Sequence, residues 1–76
     1  GEKEDQTSAE KNWQEGGRTL HTRYGKDGSH AEFKTILKNG VVVSIEGDNM
    51  GVKDLQGYMS QVDLNALEGL QRKGKS

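Results

Sequence analysis

Apolar and polar positions alternate most sharply between residues 31 and 45. Phe33, Thr35 and Leu37 precede a Lys38-Asn39-Gly40 break, and Val41, Val43 and Ile45 follow it. A period of two marks a half-buried β-strand, and an Asn-Gly break between two such runs marks a hairpin. Loop length sets the register. A two-residue loop pairs Leu37 with Val42 and Phe33 with Glu46, splitting the apolar set across both faces. A three-residue loop pairs Leu37 with Val41, Thr35 with Val43 and Phe33 with Ile45, which gathers that set on one face and gives Gly40 the left-handed position such loops need. Residues 18–24 alternate in the same way, Leu20, Thr22 and Tyr24 against Thr19, His21 and Arg23. The Gly-Lys-Asp-Gly-Ser run of residues 25–29 is a turn. The pattern predicts a three-stranded antiparallel meander.

Beyond Gly51 the spacing lengthens to three and four residues, through Val52, Leu55, Tyr58, Met59, Val62, Ala66, Leu67 and Leu70. This is an amphipathic helix, with Asp48 or Asn49 as its cap. Gly57 and Gly69 each weaken it by about 1 kcal/mol relative to alanine, and Asp63-Leu64-Asn65 marks a place for it to break near Val62. Laid over the Leu20, Phe33 and Ile45 face, the helix completes a two-layer α+β domain over residues 16–70. Residues 1–15 read as a flexible tail holding one short helix over 7–14, capped by Thr7 or Ser8, anchored by Trp13 and ended by Gly16-Gly17. Residues 71–76 read as a basic flexible tail. The expected fold class is thus α+β: a three-stranded antiparallel meander covered on one face by a C-terminal helix, with a short weak N-terminal helix, in the order αβββα.

Composition narrows this to one domain with a small core, since the 76 residues are 29% hydrophobic and hold one Phe, one Trp and two Tyr. The chain has no cysteine, which excludes a disulfide framework and a thiolate metal site and suits a reducing compartment. No stretch approaches the length of a membrane span, and the charged start is unlike a signal peptide, so a soluble intracellular protein is expected. A formal net charge of −1 weighs against nucleic acid. Its distribution is uneven, however. Residues 18–38 hold Arg18, Arg23, Lys26, Lys34 and Lys38 against Asp27 and Glu32, and by parity the face left open by the helix carries His21, Arg23, His30, Glu32, Lys34, Ile36, Val42 and Ser44.

Over residues 25–70 the chain resembles the double-stranded RNA-binding domain family. The Gly28-Ser29-His30 turn is similar to that family's Gly-Pro-x-His loop before its second strand. Phe33 stands at the family's aromatic position, Asn39-Gly40 at its hairpin and Glu46-Gly47 at its Glu-Gly, with Leu55, Tyr58, Met59 and Val62 in step and no gap. The resemblance implies RNA as ligand, with Ser29 and His30 in the turn, Lys53 at the helix start, and Arg23 and Lys34 on the sheet as phosphate contacts. The sequence departs from the family where a Lys-Lys-x-Ala-Lys cluster opens the second helix; Val52-Lys53-Asp54-Leu55-Gln56 keeps Lys53 alone. The Alu-binding proteins of the signal recognition particle share the same order of elements.

Two other chemistries draw on the open face. Asp27-x-x-His30-x-Glu32 is similar to a run in the colicin-type ribosomal ribonuclease toxins, and implies a metal-independent ribonuclease with Glu32 as base, His30 as acid and Arg23 or Lys34 as phosphate clamp. His21, His30 and Glu32 number enough for three metal ligands, but nothing in the sequence supplies a second shell, so no metal or cofactor is expected. Ile36 and Val42 face each other on the same side and form an apolar spot framed by charge, suited to a protein partner or a homodimer. The free edge of the first strand offers a second docking place, by strand addition. The expectation is a small non-enzymatic binding module, with RNA the leading ligand, protein the competitor and an enzyme last.

Overall fold

A computed structural model describes residues 1–70 as β1 (Glu2–Glu4), β2 (Ser8–Glu15), β3 (Arg18–Gly25), β4 (His30–Ile36), β5 (Val42–Asp48), α1 (Val52–Met59) and α2 (Leu64–Glu68). The strands form one antiparallel sheet in the order β1-β2-β3-β4-β5. This corrects the expected fold class. The sheet has five strands and not three, no N-terminal helix is present among the described residues, and the C-terminal helix is two short ones. The basic tail expected over 71–76 lies outside the described residues.

Residues 8–15 account for most of the correction. They hold good helix formers, yet they pair residue for residue with β3, from Ser8 opposite Gly25 to Glu15 opposite Arg18. Gly16 and Gly17 both have positive φ, +58° and +84°, the geometry of a two-residue type I′ hairpin loop, which glycine adopts without strain. The glycine pair joins two strands and does not end a helix. Pairing over eight residues outweighs a per-residue helix preference of a few tenths of a kcal/mol. Ala9, Lys11 and Trp13 then project to the helix side of the sheet, and Glu10, Asn12 and Gln14 to the other. Residues 2–4 extend the sheet again by pairing with 9–11.

The β4–β5 hairpin has the three-residue loop the apolar pattern demands. Phe33 lies opposite Ile45 and Thr35 opposite Val43. The Leu37 N–H donates to the Val41 carbonyl at 2.8 Å, and Gly40 has φ +86°. Between β3 and β4, Asp27 Oδ1 accepts the Ser29 N–H at 3.0 Å and Gly28 takes φ +77°.

The core lies between β3–β5 and α1. Ala31, Phe33, Leu55 and Met59 are buried, with Leu20, Val43, Ile45, Met50, Val52, Val62 and Leu64 packed around them. Burying a side chain such as Phe33 or Leu55 contributes about 1.5–3 kcal/mol, so these few groups hold the two layers together. Ala31 lies opposite Gly47, and that pair of small residues leaves room for Met50, against which a Cβ on Gly47 would collide.

α1 opens with Asp54 accepting the Gly51 N–H at 3.0 Å; neither Asp48 nor Asn49 caps it. Asn49 instead takes a left-handed turn, φ 57°, leaving the sheet. The chain breaks after Met59 and restarts when Asp63 caps α2 by accepting the Ala66 N–H at 3.0 Å. α2 closes the end of the sheet. Arg18 holds both oxygens of Glu68 at 2.8 Å and reaches Asn65 Oδ1 at 3.0 Å, and Asn39 donates to the Leu67 and Leu70 carbonyls.

α1 packs on β3, β4 and β5, and β1 and β2 run out beyond it as a wing. The radius of gyration is 14.0 Å, against about 11 Å for a compact chain of this length.

Candidate functional site

The register assembles the open face in rows. Lys3, Glu10, Arg23, Glu32 and Glu46 stand side by side across all five strands; beside them run Asn12, His21, Lys34 and Ser44, and then Gln14, Thr19, Ile36 and Val42. Cation and carboxylate alternate from Lys3 to Glu32, with Arg23 between Glu10 and Glu32, and Glu46 then faces Glu32. Opposite charges facing across strands satisfy one another at the distances of cross-strand neighbours.

His30 sits among acids. Its Nδ1 is 2.9 Å from Asp48 Oδ1 and its Nε2 is 3.4 Å from Glu32 Oε2. The hydrogen bond to Asp48 raises its pKa above the ordinary 6.5, aided by the charges of Asp48, Glu46 and Glu32 and opposed by partial burial. His21 is separate, hydrogen-bonded to Asn12 and opposite Lys34.

Of the residues assigned to a ribonuclease, His30, Glu32 and Arg23 gather on adjacent strands, while Lys34 lies further along β4 beside His21 and Ser44. Glu32 Oε2 approaches His30 Nε2 to 3.4 Å, an ion pair when His30 is protonated. Among the described residues no three His, Asp or Glu side chains converge as a metal ligand set.

The residues implied by the RNA-binding resemblance fall in two places. Ser29, His30 and Lys53 share one end of the molecule, because the Asn49 N–H donates to the Ser29 carbonyl at 2.9 Å and α1 starts just beyond. Arg23 and Lys34 lie on the open face, which the helices do not cover. The short N-terminal helix expected over 7–14 is replaced by β2.

Ile36 and Val42 are directly opposed and stay 38% and 53% exposed, the two large aliphatic side chains of the open face. They stand where β4 meets β5, at the outer border of the sheet.

Pattern reading missed the helix side of the wing. There Glu2, Glu4, Ala9, Lys11, Thr22 and Tyr24 line a shallow cleft of about 230 Å³. Lys11 Nζ stands 5.1 Å from the Trp13 ring centre. The Gly16-Gly17 pair flanked by alternating residues was the sequence signal for this hairpin.

No family model, curated protein or solved structure matches the chain. No helix among the described residues is long and apolar enough to cross a membrane.

Proposed function

We infer that this chain is a non-enzymatic binding module that engages a protein partner through its open sheet face. The observation that carries this reading is the exposed, directly opposed pair Ile36 and Val42 at the sheet border, beside rows that carry Glu10, Glu32, Glu46 and Asp48 against Lys3, Arg23 and Lys34. An apolar centre with a polar rim is the anatomy of a protein interface. Phosphate, by contrast, calls for uncompensated cations.

The test compares wild type with Val42→Glu, both checked for an intact amide NMR spectrum. It combines cross-linking to cell extract with titration against duplex and single-stranded RNA at two salt concentrations. Partner cross-links lost in Val42→Glu, with RNA inert, support the reading. Salt-sensitive RNA binding that survives Val42→Glu and falls in Lys53→Glu overturns it.

RNA is the second reading, supported by one observation: Ser29, His30 and Lys53 come together at one end of the molecule. There they would hold phosphates from the turn and the start of α1.

A further inference from the structure

The two outer edges of the sheet are built differently. β1 offers three residues of alternating charge, Glu2-Lys3-Glu4, a short charged edge of the kind that resists pairing. β5 offers seven residues. Starting from the bond between Leu37 N–H and the Val41 carbonyl, the antiparallel alternation turns the backbone N–H and C=O groups of Val42, Ser44, Glu46 and Asp48 away from β4. Those four residues present a ladder for a further strand. On the helix side, Val43 and Ile45 are only half-buried, and a strand laid along β5 would complete their cover.

Charge decides the occupant. β5 carries Glu46 and Asp48 and no cation. Glu32 stands opposite Glu46. Asp48 is engaged by His30 yet its side chain is 82% exposed, and Glu46 has no ion-pair partner among the described residues. A second copy paired through the same edge would bring no cation to these acids. An acidic segment would be repelled. Toward the other end of β5 the open face turns apolar, at Val42 and Ile36.

We propose that the β5 edge takes an extended basic-aliphatic segment of a partner protein as a sixth strand, antiparallel to β5. Its cationic side chains lie beside Glu46 and Asp48 and an aliphatic one beside Val42. This rests on the reading of the chain as a protein-binding module and names the partner's chemistry. Reading outward from Asp48, the segment alternates: cation, apolar, cation, apolar, small polar, apolar, aliphatic.

The probe is a capped peptide Arg-Val-Lys-Val-Thr-Val-Val, with its isomer carrying Glu at both cationic positions as control. Amide exchange and chemical shifts are followed by NMR on the whole chain. Saturable binding should slow exchange of the Val42, Ser44, Glu46 and Asp48 amides, and the acidic isomer should not bind. Ser44→Pro removes an outward N–H, a position where an edge strand tolerates proline, and should abolish binding. Glu46→Lys, which leaves the backbone untouched, should weaken it about tenfold, or 1.4 kcal/mol.

Peptide shifts at Ile36 and Val42 without amide protection, and indifferent to Ser44→Pro, overturn strand addition while leaving the face as a docking surface. Absence of any shift overturns strand addition, and the protein-binding reading then stands or falls on the Val42→Glu cross-linking result. A wild-type dimer dissolved by Ser44→Pro makes the occupant a second copy and overturns the proposal as well.

Discussion

Thr35 is 1% exposed, in the inward row between Phe33 and Leu37, and its Oγ1 has no hydrogen-bond partner among the described residues. A buried hydroxyl without a partner costs about 1–3 kcal/mol, and valine has nearly the same shape. Thr35→Val should therefore stabilise the fold by about 1 kcal/mol, read as a higher urea midpoint at unchanged slope. That Thr35 points inward was legible, because parity places it with its neighbours. That its hydroxyl stays unpaired was not, since this depends on which groups the rest of the fold packs around it. For His30, strand, face and the Asp48 across the hairpin all follow from the same register, whereas the hydrogen bond between them is seen only in the folded structure.

Among the elements, α1 is weak by its own composition. It has eight residues, too few to persist alone, and Gly57 stands in its interior. A Cβ at Gly57 would meet no atom within 4 Å. Gly57→Ala should then stabilise by about 1 kcal/mol, measured as a rise in thermal midpoint. The break near Val62 could be seen in the sequence, since Asp63 is a strong cap. β2 could not be seen in the same way: Ala9, Glu10, Lys11 and Gln14 favour helix locally, and the strand exists because β3 lies alongside it. The glycine pair at the turn was the better guide than the propensity of the residues before it.

The whole molecule is tied end to end by Arg18 and Glu68, fifty residues apart in sequence. The Arg18 hydrogen bonds, and then the Lys38 N–H, hold the Glu68 carboxyl at about 2 against an ordinary 4.5. The folded pKa is depressed, so this contribution to stability is complete above 4.5 and is lost as pH falls through about 2. Glu68→Gln should lower the thermal midpoint near neutrality, and the gap from wild type should close as pH falls across that window. A gap independent of pH would mean that the side chain acts by packing alone. Arg18 was legible as the start of a strand, but nothing near it in sequence pointed to Glu68.

The sequence by itself determined what depends on neighbours a few residues apart: the β3–β4–β5 meander, the register of its β4–β5 hairpin, the inward row of Phe33, Thr35 and Leu37, and the apolar stripe of the helices. Those features follow from the two-residue and three-to-four-residue periods, which the chain carries locally. Only the tertiary structure decided that residues 2–15 join the sheet, that α2 closes its end, and that His30 is held between Asp48 and Glu32 while β5 keeps an unfilled edge. Each of these depends on which segments come to lie side by side, and the energy that selects them appears only when the chain has folded.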